Sequence, residues 1–253
     1  MGLLIDAHMH LFPSVRSSYV DEVVEFLRAR GNMVIAVSID VSSSIETLRI
    51  GRSFPSQIIP FIGVHPASAS TERVSSFEQM VNNETGILGI GEIGLDGTYS
   101  TDAVTVEKQR IVFDQMLSIA ERLNKPVSVH SRGAVTETLL AIRRFSLNRV
   151  MLHWFAGTES QLKEAQEMGF MVSFGPASVY SKKIQRLAKI SNPEMTLVES
   201  DAPVRFSACF GGHAADPRMV GSVVNTLARI WEMSYNEVAA LISKNTLRYL
   251  KTL

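Results

Sequence analysis

Residues 5–12 read IDAHMHLF, which places His8 and His10 two positions apart, just after Asp6 and among Ile5, Met9 and Leu11. The apolar run 3–7 reads as a strand with both histidines at its end. Side chains two apart on an extended segment share a face. Two imidazoles on one face can hold one divalent ion through their ring nitrogens. A strand with one buried and one exposed histidine is the plainer account of these residues alone. The rest of the chain decides both the fold and the meaning of the pair.

Seven further apolar, β-branched runs follow, at 33–38, 58–64, 87–93, 126–130, 149–155, 170–174 and 196–200. They are near-continuous rather than alternating, as expected of parallel strands covered on both faces. Amphipathic segments lie between them. Residues 19–30 place Val20, Val23, Val24 and Leu27 on one face and stop at Gly31. The spacing predicts further helices over 105–123, 134–145, 158–168, 179–190, 217–231 and 236–250. Eight strands alternating with helices in about 250 residues is the arithmetic of an α/β chain folded as a single-domain (β/α)8 TIM barrel over residues 1–253. A doubly wound open sheet is the competing architecture.

Composition narrows the classes. The chain is 45% hydrophobic and 20% charged, enough for a large core. Lys+Arg and Asp+Glu balance at 25 each, so no global charge favours nucleic acid, membrane or an acidic partner. Cys209 is the single cysteine, which excludes a disulfide within the chain. No signal-peptide pattern and no membrane-length apolar run is present. A cytoplasmic protein with no membrane or obligate protein partner is expected.

Barrel enzymes place reactive groups where strands run into the following loops. The third run ends at His65, the fifth at His130 with Arg132 beyond it, the sixth carries His153, and the eighth leads into Glu199 and Asp201. The fourth reads GIGEIGLD over residues 89–96, with Glu92 in an apolar setting where an unpaired charge is costly. A salt bridge would explain Glu92 alone. Yet five of the 6 histidines sit at or just beyond predicted strand ends, and scattered structural histidines have no reason to choose one rim. His8, His10, Glu92, His130, His153 and Asp201 are too many ligands for one tetrahedral ion with an open position. They suit two divalent ions bridged by Glu92. Mixed imidazole and carboxylate donors permit Zn, Mn or, less readily, Mg.

The blocks IDAHMHLF, GVHPA, GEIGLD, KPVSVHSR, LHWFAG and ESDAP together resemble those of the TatD-type deoxyribonucleases, a branch of the amidohydrolase-like metal hydrolases. The resemblance runs almost end to end. It implies a barrel hydrolase that uses two divalent ions to cleave phosphodiester bonds in DNA or another phosphoester. By that resemblance His8, His10 and Asp201 bind one ion, His130 and His153 the other, and Glu92 bridges. Asp201 then also orients the attacking water and accepts its proton. His65 and Arg132 face the substrate, where Arg132 either clamps a phosphate or forms a rim salt bridge. Asp6 lies one layer deeper, as an orienting group or an ion contact, and Glu199 has no assigned role.

Several positions depart from the family's pattern. Phe12 stands where an aspartate is common, Gly97 and Thr98 precede Tyr99 where aromatics are frequent, and Gly133 replaces an acidic residue. Trp154 occupies a place that is often small. The loop after the eighth strand, VRFSACFGGHAADPRM, lacks the usual basic segment ending in Arg-Asn-Glu-Pro. The ligand positions are intact, while the nucleic-acid substrate is put in question. An amide, lactone or other non-nucleic-acid ester is the alternative substrate. A barrel in which metal serves only stability or binding is a third reading.

Overall fold

The structure, a computed structural model, describes residues 3–11, 18–99 and 102–251; Phe12 lies outside them. Among the described residues, strands and α-helices alternate as β1 Ile5–Met9, α1 Tyr19–Arg30, β2 Met33–Val37, α2 Val41–Ser53, β3 Ile58–Ile62, α3 Thr71–Asn83, β4 Gly89–Gly94, α4 Ala103–Arg122, β5 Val127–His130, α5 Val135–Ile142, β6 Val150–Leu152, α6 Glu159–Glu167, β7 Met171–Phe174, α7 Lys182–Ile190, β8 Thr196–Val198, α8 Val220–Trp231 and α9 Tyr235–Leu250. The strands form one parallel sheet in sequence order. It curls until β8 meets β1, where the Asp201 N–H donates to the His8 carbonyl at 3.0 Å and the His10 N–H to the Ala202 carbonyl at 2.7 Å. The fold is a (β/α)8 barrel.

Alternation along each strand builds two cores. Ile35 and Val37 of β2 and Ile59 and Phe61 of β3 point inward and pack with Met151, Met171 and Leu197. Val34, Ala36, Ile58 and Ile62 point outward to the helices. Tyr249 and Leu250 at the end of α9 join the inner cluster, the Tyr249 ring 6.1 Å from that of Phe61. Gly89 leaves room for the Phe61 ring, whose atoms would lie 2.3 Å from an added Cβ. The interior is thus filled with side chains away from the strand ends that carry the histidines.

Two helices escaped the sequence reading. In α2, three successive serines and Gly51 obscure the period, although Asp40 and Ser43 form a reciprocal capping box. In α3 only Val74, Phe77 and Val81 are buried, so its apolar stripe is thin. The expected helix 179–190 divides into a 3₁₀ turn, Pro176–Val179, and α7. The first strand extends to Met9 rather than stopping at residue 7, which puts His8 inside it. The sixth and eighth strands stop at Leu152 and Val198, short of the expected 155 and 200. His153 and Asp201 therefore stand on the turns that follow. No helix among the described residues is long and apolar enough to cross a membrane.

Candidate metal centre

His8, His10, Glu92, His130, His153 and Asp201 converge at the mouth of the barrel, each from the carboxyl end of a strand or the residues just after it. Two local irregularities aim the inner members. The pairing of β1 with β2 shifts register between Asp6 and Met9, around His8. That of β4 with β5 shifts between Ile90 and Ile93, around Glu92. Such bulges commonly redirect a side chain beside a functional site. Asp201 takes a left-handed conformation, φ +49°, which turns the chain sharply after β8.

Glu92 is divided between two pairs of histidines. Its Oε1 lies 2.8 Å from both His130 Nδ1 and His153 Nε2. Its Oε2 lies 3.5 Å from His8 Nε2 and 3.4 Å from His10 Nε2. Asp201 Oδ1 completes the second group at 3.6 and 3.7 Å from the same two nitrogens.

The outer hydrogen bonds fix which ring nitrogen faces inward. His10 Nδ1 is 3.2 Å from the Val37 carbonyl, which only accepts, so Nδ1 carries the proton and Nε2 offers its lone pair. His130 donates from Nε2 to Asp96 at 2.7 Å, leaving Nδ1 for the centre. His153 turns Nδ1 toward Glu199 at 3.6 Å, and His8 turns Nδ1 toward the Ser128 hydroxyl at 2.9 Å. His8 Nε2 is buried with no hydrogen-bond partner among the described residues and faces two carboxylate oxygens. A buried ring nitrogen facing two carboxylates is a donor set that a cation fits.

Burial holds His8 below the ordinary imidazole range and His10 down at about 3. Burial would lower the other pair too, yet the hydrogen bonds from His130 to Asp96 and Glu92 raise it, and the Glu92 and Glu199 charges raise His153 well above that range. Glu92 sits well below the carboxylate range despite its burial, because His153, His65 and His130 surround it. Burial, with the Glu199 and Glu92 charges, pushes Asp201 well above it.

A model of the family described as TatD related DNase matches residues 5–251. The chain belongs to the TatD related DNase family. An uncharacterized metal-dependent hydrolase of Methanocaldococcus jannaschii is 27% identical over 250 residues, covering 98% of this chain and 96% of that protein. Deoxyribonuclease TATDN3 of Homo sapiens is 26% identical over 262 residues, covering 97% of this chain and 93% of that one. The crystal structure of YjjV, a TatD homologue from Escherichia coli K12, matches with a TM-score of 0.88 at 23% identity, over 99% of this chain and 98% of that one. Likeness at that identity speaks for the fold.

In this TatD-family chain the two expected substrate contacts also reach the cavity, about 1110 Å³ in volume, above the centre. His65 accepts at Nδ1 from the Ala67 N–H at 3.1 Å, so its neutral ring carries the proton on Nε2, 3.3 Å from Glu92 Oε1. That nitrogen is a donor, which sets His65 apart from the inward Nε2 lone pair of His10. Arg132 makes no ion pair among the described residues, so no rim salt bridge occupies it.

Three groups take places the sequence did not show. Asp96 braces His130 while accepting from the Thr98 N–H and hydroxyl, both at 2.6 Å; the Asp-x-Thr spacing was its only signal. Glu199 points into the barrel, accepts from the Ser173 hydroxyl at 2.5 Å and faces His153. Tyr99, 50% exposed, lies nearly parallel to His130 with ring centroids 6.4 Å apart. Asp6 orients no imidazole side chain. It accepts from the Ser200 N–H at 2.9 Å and hydroxyl at 2.5 Å, tying β1 to the end of β8, and burial pushes its pKa up to about 7.

Proposed function

We propose that this TatD-family protein is a divalent-metal-dependent phosphodiesterase that cleaves DNA. The observation that carries the reading is the division of Glu92, one oxygen toward His130 and His153 and the other toward His8 and His10. That arrangement supports two ions sharing one carboxylate. His8, His10 and Asp201 would hold the first, His130 and His153 the second. Bound there, such ions would clamp a phosphoryl group and supply an activated water near neutral pH. The name of the human relative, a deoxyribonuclease, supports DNA as the substrate.

The chain's own groups have distinct parts. Asp201 Oδ1 lies 3.6 and 3.7 Å from the inward nitrogens of His8 and His10, which places its carboxylate to take a proton from the attacking water. The His65 Nε2–H faces the same mouth and donates to a phosphoryl oxygen. Arg132, which makes no ion pair among the described residues, holds a second phosphoryl oxygen by charge-assisted hydrogen bonds. Closely packed imidazoles and carboxylates around Glu92 keep these groups fixed before substrate arrives, which removes reorganisation from the reaction step.

The test loads purified protein with Zn, Mn or Mg, measures bound metal, and follows cleavage of a DNA oligonucleotide. Asp201→Asn is expected to lower the rate by about 10²–10⁴-fold. Unchanged cleavage in that variant overturns the mechanism. Hydrolysis of a lactone or amide with none of DNA overturns the substrate assignment.

A further inference from the structure

The cavity above the centre is larger than two cations and one phosphate require, and much of its lining comes from the residues after β5 and β6. From His10 and His65 it runs over the loops after β5, β6 and β7, past Arg132, Trp154 and Lys183. Trp154 is fixed there from several sides. Its φ is +40°, its backbone N–H donates to the Ser173 hydroxyl at 3.1 Å, and its ring packs 5.1 Å from that of buried Phe206. Phe206 in turn meets Phe210, and Phe210 meets Tyr180, in a row of aromatic rings. A side chain braced in this way has little rotamer freedom left to lose when a ligand lands on it.

Positive charge lies beside the same ring. Lys183, at the start of α7, donates one ammonium proton to the Ala156 carbonyl at 2.6 Å, two residues beyond Trp154. Its other two protons stay available to an anion. Across the mouth, the segment after β8 offers the cavity Asp201 and Val204 and no cation. Its arginines are engaged elsewhere, Arg205 with the Gly212 carbonyl at 2.9 Å and Arg218 with Asp216 at 2.5 Å. Glu137 lines the same end of the cavity, so the cations there act as local phosphate contacts rather than as a broad positive field.

We propose that Trp154 and Lys183 form a nucleotide subsite next to the reacting phosphate, with a base stacked on Trp154 and the adjoining phosphate held by Lys183. The inference rests on the phosphodiesterase reading and names its substrate more closely: a chain of at least two nucleotides whose base at this position is unpaired. A base inside a duplex stack does not expose its ring to a side chain, whereas any free base presents a face to an indole.

Two measurements separate this subsite from the chemistry. The chain has 2 tryptophans, and Trp231 donates to the Ala188 carbonyl at 2.8 Å, away from the cavity. In Trp231→Phe protein freed of metal, titration with a thymidine dinucleotide is expected to quench Trp154 fluorescence. The same dinucleotide with one base removed is expected to quench it far less. In metal-loaded enzyme, Lys183→Ala is expected to raise KM for an oligonucleotide about tenfold with little change in kcat. It is also expected to flatten the dependence of log affinity on log salt by about 0.7. Trp154→Ala is expected to raise KM by a similar factor, and Trp154→Phe to restore most of it. Equal quenching by both dinucleotides, or equal effects of Lys183→Ala on an oligonucleotide and on methyl p-nitrophenyl phosphate, overturns the subsite. Quenching without any diester hydrolysis retains the subsite and overturns the phosphodiesterase reading.

Discussion

The two histidine pairs at the mouth of this barrel are made of the same residue and held by opposite kinds of neighbour. His8 and His10 come from one strand and its end, and their outer nitrogens meet a serine hydroxyl and a backbone carbonyl. His130 and His153 come from two strands, and theirs meet the carboxylates of Asp96 and Glu199. Burial, with the charge of neighbouring histidines, lowers the first pair, while Asp96 and Glu92 raise His130, and Glu92 and Glu199 raise His153, against their burial. The outer partner, and not the imidazole, sets how strongly each ring donates electrons. A cation at the second pair would have to displace protons from the more basic rings, whereas one at the first would meet neutral rings.

Glu92 joins the two halves, so its replacement is the most severe way to break the comparison. Glu92→Gln removes the one charge both pairs share. The expected loss of cleavage exceeds the 10- to 100-fold that changes to outer partners typically cost, with bound metal reduced when measured by mass spectrometry. Full metal content and near-normal cleavage would show that the pairs do not depend on a common bridge. Chelation is the next largest perturbation. At about 100 times the dissociation constant, bound metal stabilises the native state by roughly 2.7 kcal/mol. Stripping it should then lower the melting temperature by about 5–10 °C, readable by calorimetry.

Much of the barrel was legible because each strand is buried on both faces and so reads as an unbroken apolar run. α1 agreed with its expected limits, since Gly31 stops it at φ +65°. α2 and α3 were missed where serines and a thin apolar stripe hid the period. The convergence of His8, His10, Glu92, His130, His153 and Asp201 followed from a simple regularity, polar residues at the ends of apolar runs. Their outer partners obey no such rule. Asp96 looks like the polar end of a strand until folding brings His130 Nε2 to it. Glu199 is one of two acids in ESDAP, and only the early end of β8 shows which way each points. The pairing of Trp154 with Phe206 joins positions 52 residues apart, and nothing local links them.

Those outer partners also give the finest test of the comparison. Asp96→Asn and Glu199→Gln keep the shape of each side chain and remove its charge. Each is expected to weaken one cation's binding by about 10- to 100-fold, followed by competition with a chromophoric chelator. Ser128→Ala touches the other half and removes a neutral partner from His8. Its expected cost is about 1 kcal/mol of stability and a change in metal affinity smaller than either carboxylate variant produces. Equal losses in all three would mean that the outer groups act by packing alone. A larger loss in Ser128→Ala would reverse the assignment, placing the stronger cation site on β1. If the carboxylate variants weaken one binding step and leave the other in place, the halves are unequal because Asp96 and Glu199 make them so.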